Sequence, residues 1–283
     1  MTKTIQRSLG AAAILALPAL LASCILLENP AGDDPGWRTV PDRGTPRPGA
    51  TEFRRTVDFA AGATLSLEND YGDVSITGWD RDQVEVVARA ATVERQANAS
   101  ARQYRIRKVT PEVEILETAS GGLLIRTPTF EGAGEAPAID FEIKAPNSLV
   151  LTGLKMSEGG LTIADVYGRI EASIDQGDLS ISNFSGTLRA TLGIGSADVE
   201  ALDLREGDEI AVTTRRGDVF LRLEPNTGAI VEADAGRGQV TSDFDLGARL
   251  PAPTVKGWIG QGGPSIILRT SEGRIRIIRT AAR

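Results

Sequence analysis

Residues 153–199 alternate apolar and polar side chains in short units, and each unit begins with a glycine. The glycines stand at positions 160, 168, 177, 186 and 195, so consecutive units are 8, 9, 9 and 9 residues apart. Alternation with a period of two is the pattern of a strand that buries one face, and glycine supplies the positive φ of a tight corner. The pattern predicts a stack of short strands, with Gly177 and Gly186 at positive-φ corners.

The same alternation continues on both sides of this stretch. Strands are predicted at 56–59, 63–67, 72–76, 84–88, 112–115, 123–125, 139–143, 207–212, 217–221, 228–231, 238–242, 265–268 and 273–277. Residues 92–105 break the alternation with polar residues that tolerate a helix, which predicts one short helix or a helical excursion. We expect a longer loop at 244–263, and this loop carries Trp258.

Two all-β architectures fit this pattern. Closely and regularly spaced turn signals are typical of a β-sandwich, whereas a nearly constant repeat with glycine in the same phase indicates a β-solenoid. The strict phase favours the solenoid, and residues 150–245 lack the Asn-Gly and Asp-Gly dipeptides of hairpins. We predict a β-solenoid or β-helix-like domain over residues 51–283, with a β-sandwich as the alternative.

The N-terminus has the features of an export signal. A basic segment with Lys3 and Arg7 precedes an apolar run at 9–21, which is short for the roughly 20 apolar residues that span a bilayer. The run ends in Leu21-Ala22-Ser23-Cys24, which resembles the lipobox of bacterial lipoproteins, where the cysteine is acylated. We predict a lipoprotein signal peptide over residues 1–23 and lipidation at Cys24. The alternative is an ordinary secretory peptide with an incidental cysteine.

The residues after the signal are expected to connect the domain to a membrane. Residues 24–50 begin with Cys24, the only cysteine, and continue with interspersed prolines and glycines without periodicity, which indicates an extended tether. Several acyl chains, at ~0.8 kcal/mol per buried CH₂, make a stable anchor. Ile25 stands where some Gram-negative bacteria place an aspartate that retains lipoproteins in the inner membrane. In a cell with two membranes we therefore expect the outer one.

Composition narrows the class of protein. The chain is 41% hydrophobic but only 5% aromatic, which favours many thin layers of Val, Ile, Leu and Ala. Without residues 1–23, which hold Lys3 and Arg7, 29 basic residues face 38 acidic ones, a net charge of −9. A charge of that sign disfavours nucleic acid as a partner.

The chain contains no histidine, which removes Ser-His-Asp and Cys-His nucleophiles and most zinc sites. Carboxylates remain as candidates for catalysis. Parallel β-helices elsewhere host polysaccharide lyases and hydrolases that use acidic residues and calcium. The candidates each follow a glycine: Asp73, Asp178, Asp208 and Asp218. Their shared place in the repeat favours a structural role, in which the carboxylate caps free backbone N–H groups at a corner. We therefore assign no catalytic, cofactor-binding or metal-binding residue.

Two further patterns allow a binding hypothesis. The segment 193–198, Gly-Ile-Gly-Ser-Ala-Asp, is similar to one unit of calcium-binding nonapeptide repeats, although its aspartate falls one place late. The last strand region has arginines at 269, 274, 276, 279 and 283. Arg274 and Arg276 alternate with Ile275 and Ile277, which predicts a solvated face that also protects an exposed sheet end; contact with anionic envelope polymers is the alternative.

Several segments together resemble a known family. They are residues 69–76 (Asn-Asp-Tyr-Gly-Asp-Val-Ser-Ile) with Trp79-Asp80, residues 140–146 (Asp-Phe-Glu-Ile-Lys-Ala-Pro), and the glycine repeats that follow. This combination over residues 55–280 is similar to the bacterial "putative adhesin" family, a domain family of unknown function. The resemblance implies a β-helix-like fold and an envelope-attached, extracytoplasmic location, and it transfers no active-site residue.

From these observations we expect a lipid-anchored, adhesin-like protein of the cell envelope that binds a partner or serves as a structural component. The expected partners are the membrane, through the N-terminal lipid, and an envelope polysaccharide or another envelope protein. No cofactor is expected. The alternative function is a carboxylate-dependent, carbohydrate-active enzyme on a β-helix.

Overall fold

The computed structural model describes residues 51–95, 104–108, 111–117, 121–128 and 136–281. The predicted signal peptide (1–23), Cys24 and the tether (24–50) lie outside the described residues. Every element of the described part is a strand, which confirms the all-β prediction. This part of the chain has no helix long and apolar enough to cross a membrane. The strands are β1 (Thr51–Asp58), β2 (Thr64–Tyr71), β3 (Val74–Trp79), β4 (Gln83–Arg95), β5 (Tyr104–Lys108), β6 (Glu114–Glu117), β7 (Leu123–Arg126), β8 (Ala138–Pro146), β9 (Ser148–Glu158), β10 (Leu161–Ala164), β11 (Tyr167–Gln176), β12 (Leu179–Ile194), β13 (Ala197–Ala201), β14 (Glu209–Arg216), β15 (Val219–Leu223), β16 (Ala229–Asp234), β17 (Val240–Ser242), β18 (Thr254–Ile259), β19 (Ser265–Glu272) and β20 (Ile275–Arg279).

The strands form two sheets that β12 joins, because its first part pairs in sheet A and its second part in sheet B. Sheet A runs in the order β1, β4, β8, β3, β10, β12, β13, β15, β20, β17, with β5 also paired to β4. Sheet B runs in the order β6, β7, β2, β9, β11, β12, β14, β19, β16, β18. The result is a continuous, curled, mixed sheet.

The nine-residue glycine spacing corresponds to a spatial repeat of two units. Leu161 pairs in parallel with Leu179, and Leu179 with Ala197, all in sheet A. Gly168 pairs in parallel with Gly186 in sheet B. Consecutive units therefore alternate between the sheets, and each strand contacts the strand two units further along the chain. The chain needs two units to return to the same sheet.

The two sheets share one hydrophobic core built from layers of aliphatic side chains. In sheet A, the strands pair so that an inward-facing residue of one strand lies directly beside an inward-facing residue of the next. Leu161, Leu179, Ala197, Val219 and Ile275 form one such row, and each is at most 1% exposed. Burial of such rows is the main stabilising contribution in this fold. Two sheets that enclose one core are compatible with the β-sandwich alternative. The parallel pairing brings neighbouring repeats into contact, as the regular spacing of the glycines indicates.

Two predictions of secondary structure are wrong. The short helix predicted at 92–105 is replaced at both ends by strands, because β4 extends to Arg95 and pairs antiparallel with β5. The strand pairing provides hydrogen-bond partners for backbone N–H and C=O groups that would otherwise bond within a helix, and it overrides the local helix propensity. Residues 96–103 lie outside the described residues. The loop predicted at 244–263 contains β18. Glycine at the inward position 257 hides the alternation of this strand in the sequence.

Candidate functional site

The repeat glycines form two columns in which backbones stack closely, one through Gly177 and the other through Gly168 and Gly186. Gly177 and Gly186 have φ of 147° and 125°, which confirms the prediction of positive φ. A Cβ atom on Gly177 would lie 1.8 Å from the carbonyl oxygen of Gly159, and one on Gly186 would lie 2.1 Å from that of Gly168. The column through Gly177 continues as Gly72, Gly159, Gly195 and Gly217. Glycine is needed here for close approach as well as for φ.

One glycine of the repeat differs from the sequence interpretation. The corner residue is Gly159, with φ of 142°, rather than Gly160. Gly160 holds the next position, which Asp178 and Asp73 hold in neighbouring repeats. The Gly159-Gly160 pair made the two positions indistinguishable in the sequence.

The candidate aspartates bind the backbone of a neighbouring strand. Asp73 Oδ1 accepts a hydrogen bond from the N–H of Gly160 at 2.8 Å, and Asp178 Oδ1 accepts one from Ser196 at 2.7 Å. Asp218 Oδ1 accepts one from the N–H of Arg274 at 2.7 Å. Corner N–H groups of parallel strands would otherwise lack a partner. These three carboxylates have the capping role that the repeat predicts.

Asp208, the fourth candidate, caps its own turn, because its Oδ2 accepts a hydrogen bond from the N–H of Arg205 at 2.7 Å. Between Asp73 and Asp178 the column has Gly160, and between Asp178 and Asp218 it has Ser196. Successive strands therefore never place two of these carboxylates side by side. Asp140 on β8 lies beside Asp73 and extends the capping pattern, because its Oδ1 accepts a hydrogen bond from the N–H of Asp73 at 3.0 Å.

Asp218 carries the strongest charge contact of the column. The Nη2 atom of Arg274 donates to Asp218 Oδ2 at 2.6 Å and Nε donates to the same oxygen at 3.2 Å. These side-chain hydrogen bonds hold the pKa of Asp218 below its ordinary value, and the backbone N–H of Arg274 acts in the same direction. A carboxyl group with a lowered pKa is ionised at neutral pH and is a poor general acid.

The calcium hypothesis for 193–198 has a structural counter-explanation. Asp198 forms an ion pair with Arg222 of the neighbouring strand, which supplies the counter-charge of its carboxylate. A Cβ on Gly193 or Gly195 would collide with a neighbouring carbonyl oxygen, so close backbone stacking explains both glycines. Among the described residues, no cluster of three Asp, Glu, Cys or His side chains is placed to hold a metal ion.

The C-terminal arginines are partly used inside the domain. Arg274 and Arg276 are exposed while Ile275 and Ile277 are buried, as the alternation predicts. Arg269 Nη2 lies 3.0 Å from Glu232 Oε1, and this hydrogen bond, followed by that of Lys256, lowers the pKa of Glu232. The prediction that this strand protects a sheet end is wrong, because β20 lies between β15 and β17. Arg283 lies outside the described residues.

A further corner column, formed by Asp and Asn residues, was not predicted from the sequence. Asp165, Asn183 and Asp203 have left-handed backbones, with φ of 58°, 50° and 47°. They recur once in every two units, which matches the spatial repeat. The Nδ2 group of Asn183 donates to Asp165 Oδ1 and, at 3.3 Å, to the hydroxyl of Tyr167. Asx side chains tolerate this conformation by such local bonds, so the column is explained by the fold.

The exposed surface at the end of sheet B is chemically different from the rest. Trp258 and Ile230 are directly opposite each other on β18 and β16, and they are 62% and 58% exposed. Lys256 and Glu232 are the next outward pair, joined by an ion pair of 3.2 Å. We call Ile230, Glu232, Lys256 and Trp258 the terminal face. Its signal in the sequence was Ile230, an apolar residue at an outward position of an alternating strand.

The terminal face has the composition of a contact surface. Exposed apolar pairs bordered by charges are typical of interaction sites, and tryptophan is enriched among residues that dominate binding energy. The pKa of Glu232 is lowered by its hydrogen bonds to Arg269 and Lys256, so Glu232 is a poor general acid near neutral pH. The geometry supports binding rather than chemistry.

No protein-family model and no curated protein matches this chain. Among solved structures, a "putative cell adhesion protein" from Clostridium sporogenes is 16% identical, with a TM-score of 0.49, over 82% of this chain and 100% of that one. A "putative adhesin" from Bacteroides fragilis is 11% identical, with a TM-score of 0.30, over 81% and 97% of the two chains. A "putative lipid binding protein" from Parabacteroides distasonis is 10% identical, with a TM-score of 0.22, over 80% and 96%. The adhesin descriptions agree with the family resemblance carried by the sequence.

Proposed function

We propose that this protein is a lipid-anchored, extracytoplasmic, adhesin-like module of the cell envelope that binds a partner without transforming it. The observation that carries the binding role is the terminal face, where Trp258 and Ile230 are exposed side by side. The capping role of Asp73, Asp178, Asp208 and Asp218 supports a non-enzymatic module, because these were the candidates for carboxylate chemistry.

The terminal face lies at the end of the domain opposite to Thr51. Thr51, where the predicted tether joins the domain, begins β1 at one end of sheet A. Nine strand pairings lead from β1 to β17 at the other end, a distance of roughly 40 Å at ~4.8 Å per strand. The terminal face, which consists of residues of β16 and β18, lies at that distal end.

The membrane anchor is tested by changing Cys24 to serine in the full-length chain. We expect the wild-type protein to stay in the membrane fraction after a high-salt wash and the variant to be released, because acylation requires the thiol. The predicted lipid is then detected by mass spectrometry of the N-terminal peptide. A Cys24→Ser variant that remains with the membrane after washing shows that the lipoprotein assignment is wrong.

The binding role is tested with the full-length protein in detergent, screened against envelope polysaccharides with and without calcium while products are followed. We expect binding without product, and Trp258→Ala should weaken it by at least about tenfold, as for a central aromatic contact. Leu116→Ala is the matched control, because Leu116 is 43% exposed on β6, at the opposite end of sheet B. Product formation contradicts a pure binding role, and equal loss in both variants contradicts the assignment to the terminal face.

A further inference from the structure

The last strand of sheet B has an open edge. Within the described residues, β18 pairs only with β16. The N–H of Ile230 donates to Pro264 on the β19 side, whereas the N–H of Ala235 donates to Pro253 on the β18 side. Backbone groups alternate in direction along a strand, so the odd-numbered residues of β16 face β18. Their partners are residues 255, 257 and 259.

The even-numbered residues of β18 therefore turn their N–H and C=O groups away from the sheet. They are Thr254, Lys256 and Trp258, and all three are exposed. In the part of the chain that the structure describes, no backbone hydrogen bond outside the β16 ladder reaches them. The end of sheet A differs, because the N–H of Val240 on β17 donates to Ala252 at 2.7 Å. At this end of the described sheets, β17 is the last strand of sheet A and β18 the last strand of sheet B. Of these two, β18 is the strand whose edge is open to pair with a further strand.

The sequence of β18 is complementary to itself in one antiparallel register. With Gly257 opposite Gly257 of a second copy, Lys256 lies opposite the second copy's Trp258, and the two-fold axis repeats this pair. Lys256 and Trp258 both point outward, so the ammonium group can approach the indole ring. Inward-facing Val255 then lies opposite Ile259, which continues the apolar inner face.

Two neighbouring registers are less favourable. A shift of one residue places outward side chains opposite inward ones. A shift that centres on Lys256 places two lysines opposite each other, which is destabilising. In the favoured register, Lys256 and Trp258 are hydrogen-bonded partners, and the two copies exchange four backbone hydrogen bonds.

We propose that β18 is a self-association edge through which two copies of this chain form an antiparallel, two-fold dimer centred on Gly257. This inference rests on the proposed function in that it names the partner of the terminal face. Because Thr51 lies at the opposite end of sheet A, the two Thr51 residues lie at the far ends of the dimer. With the proposed anchors, the two copies can belong to facing membranes.

The contact is small, since each copy contributes one six-residue strand and its outward side chains. Interfaces below about 1,200 Å² are characteristic of weak, transient complexes. Many copies on one membrane would raise the strength of adhesion through multivalency. The dimer is therefore expected to be weak in solution and effective between surfaces.

The test uses the full-length chain in detergent, with its oligomeric state measured by sedimentation over rising protein concentration. Lys256→Pro removes an N–H on the open side, a position where a strand tolerates proline, and should weaken dimerisation by at least about tenfold. Trp258→Lys, which opposes like charges across the axis, should do the same. Leu116→Lys is the control at the opposite end of sheet B, where Leu116 is also exposed, and it should leave the dimer within about threefold of wild type. Circular dichroism and thermal unfolding verify that each variant is folded.

Three outcomes would overturn the proposal. They are a wild-type protein that stays monomeric, a folded Lys256→Pro variant that dimerises normally, and a dimer that Leu116→Lys disrupts as strongly as Trp258→Lys does. Liposomes of phosphatidylethanolamine and phosphatidylglycerol that carry the full-length chain should cluster, and Lys256→Pro should abolish the clustering. Dimers in detergent without clustering contradict the facing-membrane geometry. If the protein is anchored and binds a polymer but stays monomeric, only the self-association proposal is wrong. If the protein dimerises but does not associate with membranes, only the anchor assignment is wrong.

Discussion

Replacing Gly177 with alanine tests whether close backbone stacking, in addition to positive φ, requires glycine in the column. The added Cβ would lie 1.8 Å from the carbonyl oxygen of Gly159, where contacts below 3.0 Å are essentially never seen. The neighbouring backbone must therefore move by the difference between these two distances. That movement disturbs the hydrogen bonds from Gly159 N–H to Gln176 and from Gly177 N–H to Ile194, both 2.9 Å.

The magnitude follows from these two effects. A non-glycine residue in this backbone conformation costs about 1 to 3 kcal/mol, and each disturbed hydrogen bond costs about 1 kcal/mol. The sum is roughly 3 to 5 kcal/mol, which lowers the melting temperature of a domain of this size by roughly 6 to 20 °C. Alanine should be nearly as harmful as valine, because the first added carbon already collides. The same holds for Gly186, whose Cβ would lie 2.1 Å from the Gly168 oxygen.

Two controls separate the causes. Gly207→Ala has a positive φ of 97° but no atom within 4 Å of its Cβ, so it should show backbone strain without the clash. Thr187→Val, next to Gly186 in an ordinary strand conformation, should change the melting temperature little. Equal losses at Gly207 and Gly177 would show that φ alone matters, and no loss at Gly177 or Gly186 would refute the structural role of the column.

Amide hydrogen exchange on Gly177→Ala measures how far the damage spreads. Strands of the repeat pair with strands two units away, so protection should fall most between residues 160 and 199 and less near Phe53. A uniform loss over the whole domain would instead indicate one cooperative unit, as in a sandwich.

Further predictions concern the polar contacts. Asp218→Asn keeps an acceptor for the N–H of Arg274 but loses the ion pair, so it should lower the urea midpoint at pH 7. Because the folded pKa of Asp218 is lowered, its stabilising contribution is fully present above the ordinary carboxyl pKa and is lost as pH falls through the folded value. The difference between wild type and variant should therefore begin to shrink near the ordinary carboxyl pKa and vanish below the lowered folded pKa, and a difference that stays constant in acid would contradict the ionic origin. Thr270→Val should destabilise the domain by about 1 to 2 kcal/mol in chemical unfolding, because the buried hydroxyl donates to the Gly217 carbonyl at 2.9 Å; unchanged stability would mean that this carbonyl finds another donor.

The sequence by itself determined the strand content, the alternating core positions and the glycine corners. These features are local: a period of two fixes which side chains face inward, and a positive φ selects glycine at Gly177 and Gly186. The structural role of the aspartates was also predictable, because Asp73, Asp178 and Asp218 share one phase of the repeat. The export signal and Cys24 depend on local sequence alone and stay predictions.

Tertiary structure decided which strands meet. The chain alternates between two sheets, so the spatial repeat is two units long, and nothing in the spacing of the glycines states this. Pairing of β4 with β5 replaced a locally plausible helix, and pairing of β18 with β16 turned a predicted loop into a strand. Trp258 became part of the terminal face only through that last pairing, which places it opposite Ile230. Local propensity cannot specify such contacts, because the hydrogen bonds that create a strand come from residues far away in the chain.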